Sequence, residues 1–143
     1  MFKLFLLFIC FYTASIASDV DKAWAFFQSE DYEKAQELFQ KLLKDAETPE
    51  ERSIISNNLA VIQARQGKLQ GSRDILEVVD LVSLESPYII REINLNLAIL
   101  YHKIALSFLK DIKEEGSLEE FIEMIDLLEL GLKKLELALL EEE

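Results

Sequence analysis

Cysteine is almost missing from this chain. Cys10 is the only one in 143 residues, so no disulfide can close within it. Histidine is as scarce. His102 stands alone, and one imidazole without a second histidine or a cysteine makes neither a zinc site nor a nucleophile–base pair. Only two prolines and four glycines interrupt a composition rich in Leu, Glu, Ala, Ile and Lys, which favours helix over sheet. Positive charge is in deficit. Fifteen Lys and Arg face 27 Asp and Glu, for a net charge of -12, and such a surface repels phosphate backbones and anionic lipid heads. A nucleic-acid partner is therefore not expected. No Gly-rich phosphate loop and no basic stripe occur. Pairs such as Glu50/Glu51, Glu114/Glu115 and Glu119/Glu120 are what 27 acids leave on solvated helix faces, and do not single out a general acid and base. The expectation is a non-enzymatic protein with no cofactor and no bound metal.

What the chain does have is an internal echo. Asn58-Leu59-Ala60-Val61-Ile62 returns 38 residues later as Asn96-Leu97-Ala98-Ile99-Leu100. Tyr32, Ala35, Phe39 and Leu42 return 37 residues on as Leu69, Ser72, Leu76 and Val79. A fixed period of this size predicts an all-α fold of stacked helical hairpins, each too small to bury its apolar face alone.

The first 17 residues read as a secretory signal. Lys3 is followed by nine apolar residues, 4–12, and then Ser15-Ile16-Ala17 places small residues at the -3 and -1 positions of a cut before Ser18. Its removal takes one Lys and no acid, shifting the net charge from -12 to -13. Bulky Ile9 argues against Cys10 as a lipidation site. An uncleaved membrane anchor stays open as the alternative. Export without disulfides points to the bacterial periplasm.

Six helices follow in three antiparallel pairs, about 18–47, 48–85 and 86–140. Residues 18–21 cap a first helix running to about Ser29, and Glu30-Asp31 make a corner into a second over 32–46. Thr48-Pro49-x-Glu51 is a capping box with proline at the first helical position, and Gly67 ends the third helix. The fourth spans 68–83, with Ile75, Leu76, Val79 and Val82 facing inward. Ser86-Pro87 opens a fifth that meets no breaker to about residue 113, roughly 40 Å at 1.5 Å per residue. Its inward stripe is Ile90, Ile93, Leu97, Leu100, Ile104 and Phe108. Gly116 breaks the pattern, and Ser117-x-x-Glu120 caps a last helix. Phe121, Ile125, Leu128, Leu132, Leu135 and Leu139 make its expected core stripe, with Leu127, Leu130 and Leu137 left outside it. The acidic tail 141–143 is at the wrong end for the helix dipole and is expected to fray.

The turn Glu30-Asp31-Tyr32-Glu33-Lys34-Ala35, followed by Phe39, resembles a tetratricopeptide repeat. Small residues also stand where that family crosses its two helices, at Ala23, Ala60 and Ala98, and early in the second helix, at Ala35 and Ser72. Gly67 and Gly116 match the family's turn glycine, while Glu30 does not. The resemblance covers 19–83 well and 87–103 fairly. Beyond that the fifth helix overruns, so the last pair is extended and atypical.

The resemblance implies a right-handed α-solenoid whose concave groove is lined by the first helix of each pair and takes a peptide or protein partner. The positions where some members clamp a C-terminal carboxylate are Val20, Trp24, Asn57, Val61, Leu95 and Ile99 here. Only Asn57 is polar, so no carboxylate clamp is expected. Extending the register adds Phe27, Ala64 and His102. The expected groove contacts are Trp24, Asn57, Val61, Ile99 and His102, on a mostly apolar face whose acidic rim favours a basic partner. Either a partner fills this face, or the leucine-rich last helix folds back into it, or a second copy covers those leucines as a homodimer. The alternative function is a structural subunit of an envelope assembly, its apolar face permanently buried.

Overall fold

A computed structural model describes residues 17–115 and 117–140. Residues 1–16 of the signal segment, Cys10 among them, the break at Gly116 and the acidic tail lie outside the described residues. Those residues form six α-helices and no strand: α1 (Ala17–Gln28), α2 (Tyr32–Asp45), α3 (Pro49–Arg65), α4 (Leu69–Glu77), α5 (Pro87–Glu115) and α6 (Leu118–Leu140).

The helix ends follow from local chemistry. Thr48 and Glu51 exchange the two bonds of a capping box at the start of α3. Ser117 and Glu120 do the same before α6, at 3.2 and 2.8 Å. Helices α1 and α3 stop in the same way, 37 residues apart. In α1 the Asp31 N–H donates to the Phe26 carbonyl and the Glu30 N–H to Phe27. In α3 the Lys68 N–H donates to Gln63 and the Gly67 N–H to Ala64. These are two Schellman ends, each with its turn residue in the left-handed region, Glu30 at φ 63° and Gly67 at φ 80°. A glutamate thus does at the first corner what a glycine does at the second, at a steric cost the glycine avoids.

Helix α4 is shorter than the sequence pattern predicts. It ends at Glu77, and a single 3-10 turn follows at Leu81–Ser83. Two β-branched residues, Val78 and Val79, lead into Asp80, whose carboxylate accepts from the Val82 N–H and draws the backbone out of the helix. Val82, expected inside, is 96% exposed as a result.

Packing proceeds in sequence order. Each helix lies against the next, and α3 also touches α5. A smaller core joins α1 and α2 to one side of α3 through Ala23, Ala35, Phe39, Leu59 and Ile62. A larger one runs from α3 through α4 and α5 to α6. Small residues sit buried at the hairpin crossings. The Ser72 hydroxyl donates to the Ala60 carbonyl at 2.6 Å, which needs the close approach two small residues allow. Between α5 and α6 the same part falls to Ala98 and Gly131. A Cβ on Gly131 would lie 3.3 Å from the Tyr101 Cβ and 3.4 Å from the Ala98 carbonyl oxygen. At 29 and 23 residues, α5 and α6 are about 43 and 35 Å long, and each outruns every earlier helix.

Candidate interaction surface

Helix α6 has two main apolar ridges, with Ile122, Leu130, Leu137 and Leu140 exposed outside both, and the burial of the two ridges reverses the expectation from sequence. The ridge buried against α5 is Met124, Leu127, Gly131 and Ala138. The bulky ridge Phe121, Ile125, Leu128, Leu132, Leu135 and Leu139, expected in the core, lies outward. Leu128 is half-buried, the other five are exposed, and Leu132 is 63% exposed. The physical reason is steric. Two long antiparallel helices approach most closely on small side chains, and glycine and alanine occur on only one ridge. Helix α6 packs on α5, and no other described helix makes an extended contact with it, so it does not fold back across α1 and α3.

Between the two helices runs a groove of about 430 Å³ with an almost wholly apolar lining. Its α5 wall is Leu95, Ala98, Ile99 and His102, and its α6 wall is Leu128, Gly131, Leu132 and Leu135. On α5 the heptad-like series Leu95, Ile99, His102 continues outward to Leu106, 48% exposed, and Leu109.

Of the five residues expected in a binding groove, the structure brings Ile99 and His102 together here. The other three lie elsewhere. Asn57 is 0% exposed, and its side-chain oxygen accepts from the Asn96 amide at 2.8 Å, tying α3 to α5 inside the protein. Val61 is 1% exposed, within the larger core. Direct packing of α3 on α5 closes the face that was expected to be open at these two positions. Trp24 is half-buried and stacks on Phe27 with ring centroids 5.5 Å apart. The α6 wall was missed because its leucines were assigned to the core. The small residues at 131 and 138 were the signal that the opposite ridge faces inward.

Apart from His102, polar groups surround the groove rather than line it. The Tyr101 hydroxyl donates to Glu77 at 2.5 Å and ties α5 to α4. Burial first, and then this bond, push the phenol above its ordinary value. Burial and the nearby Arg65 lower Lys103. A second depression, of about 400 Å³, opens beside the start of α3, with Arg52, Ser53, Ser56 and Asp80 in its wall. Arg52 Nε and the Ser53 hydroxyl donate to the carbonyls of Ala46 and Pro49. Among the described residues no cluster of His, Cys, Asp or Glu could hold a metal ion. None of the described helices is long and apolar enough to cross a membrane.

No family model matches this chain, and neither a curated protein nor a solved structure matches it.

Proposed function

We propose that this chain is an exported, non-enzymatic interaction module. It is a right-handed stack of three tetratricopeptide-like hairpins that holds an apolar segment of a protein partner against α5 and α6. The observation that carries this reading is the outward leucine ridge of α6 beside the apolar groove it shares with α5. A contiguous apolar face of this kind marks an interaction site on a soluble protein. The repeat reading is supported by the two identical helix ends 37 residues apart and by small residues at each crossing. The reading of export, to the bacterial periplasm or anchored facing it, rests on the charged, apolar and small-residue order of residues 1–17. A foreign protein on this face would be basic, to match the net charge of -12.

A second reading, a permanently assembled subunit, is favoured by the extent of the face. It runs the length of α6, more than a short peptide needs. Capture from native envelope fractions by the unaltered chain and by a Leu132→Asp variant tests the module. A partner captured by the first and lost with the second, both folded by circular dichroism, supports it. Identical capture by both removes α5–α6 as the site.

A further inference from the structure

We infer that the partner on this face is a second copy of the chain, docked antiparallel so that the two α5–α6 hairpins close into a four-helix bundle. This deepens the interaction reading above and rests on it.

The first ground is the spacing of the exposed ridge. Positions 121, 125, 128, 132, 135 and 139 step by 4, 3, 4, 3 and 4, the seam of a coiled coil. The seam is symmetric about position 130. Turning a second α6 end for end pairs Phe121 with Leu139, Ile125 with Leu135, and Leu128 with Leu132. Each pair joins an a-type to a d-type position, so all six apolar side chains find apolar partners at once. A two-fold interface requires this self-complementarity.

The second ground is α5. Leu95, Ile99, His102, Leu106 and Leu109 step by 4, 3, 4 and 3 on the same side of the hairpin. Gly131 packs level with residues 98–102, so in the antiparallel hairpin Leu109 lies beside Phe121 and Leu95 beside Leu135. The exposed face is therefore two helices wide and layered along its length, the shape of half a helical bundle. It is about 27 Å long and about 20 Å wide, or about 540 Å² of projected face per copy. Two copies bury about 1,100 Å², above the roughly 1,000 Å² a specific interface needs.

Charge selects the direction. The first half of α6 holds Glu119, Glu120, Glu123 and Asp126, and the second half holds Lys133, Lys134 and Glu136. Antiparallel docking sets Asp126 level with those lysines of the other copy. Parallel docking would set Asp126 against Asp126 and the lysines against each other. The two Glu129 side chains flank the axis on the solvent side, where repulsion is screened.

The test uses the chain as expressing cells release it, its N-terminus read by mass spectrometry. Light scattering on the native chain should give twice the single-chain mass, and Leu132→Glu, at a side chain already exposed, should halve it with the helical signal unchanged. Two differently tagged Cys10→Ser chains, one carrying Phe121→Cys and the other Leu139→Cys, should crosslink to each other and not to themselves. Crosslinks of Phe121→Cys to itself overturn the antiparallel dimer, as does a dimer indifferent to Leu132→Glu. A monomeric native chain removes the second copy as occupant. The capture experiment with Leu132→Asp then decides separately whether the face serves another protein.

Discussion

The first two hairpins and the third use the same crossing chemistry to different ends. In α1–α2 and α3–α4 the small residues stand 12 positions apart, at Ala23 and Ala35 and at Ala60 and Ser72, and all four are buried. In α5–α6 the crossing pair, Ala98 and Gly131, is 33 positions apart. The earlier helices are short, and another helix follows to cover them. The last pair is long, and no described helix lies on its outer side. Short repeats build the core, and the overlong pair carries the surface left to be filled. Apolar content alone does not separate these roles, because Val61 and Leu132 differ little in hydropathy and lie at 1% and 63% exposure.

That contrast is sharpest in paired substitutions. Val61→Asp puts an unpaired charge in the core and should cost more than about 3 kcal/mol in urea unfolding. Leu132→Asp should change the stability of the dilute monomer by less than about 0.5 kcal/mol. Equal losses would erase the distinction between the two regions.

Gly131→Leu attacks the third crossing, where a Cβ has almost no space. It should destabilise by about 1–3 kcal/mol and spread α5 from α6, read as faster amide exchange along α6.

Tyr101→Phe cuts the bond to Glu77 that ties the long pair to α4, at about 1.5 kcal/mol. Its pH signature has a definite sign. The phenol is raised above 10.0 in the folded chain, so its stabilising contribution is complete below that value and is lost as pH rises through the folded value. Alkaline melts of the native chain should show this loss, and those of Tyr101→Phe should not.

The two matched corners give the smallest effect. Gly67 has open space for a Cβ but holds φ 80°, so Gly67→Ala should cost about 1 kcal/mol through the backbone alone. Glu30→Gly should stabilise by roughly 0.5 kcal/mol, since φ is 63° there.

Much of the helical order was legible because its signals are local. Thr48 with Glu51, Ser117 with Glu120, Gly67 and Pro87 each act within one turn of the helix end they mark. The stripe Ile93, Leu97, Leu100 and Ile104 was legible because a buried helix repeats its contacts every turn. The early end of α4 was not, because Asp80 competes for the backbone against a pattern that otherwise continues. The site was half legible. Ile99 and His102 follow from register along α5. Asn57 and Val61 do not, because their burial depends on how closely α3 and α5 approach. The α6 wall required weighing size as well as hydropathy, since Gly131 and Ala138 mark the packed side although the leucines are more apolar.

The most direct measurement is the rate at which a single thiol reacts with a soluble reagent as protein concentration rises, in a Cys10→Ser chain carrying Leu132→Cys. Leu130→Cys, also exposed but off the seam, is the control. The thiol at position 132 should become protected as the chain is concentrated while the one at 130 stays reactive. Equal, concentration-independent rates at the two positions would contradict it.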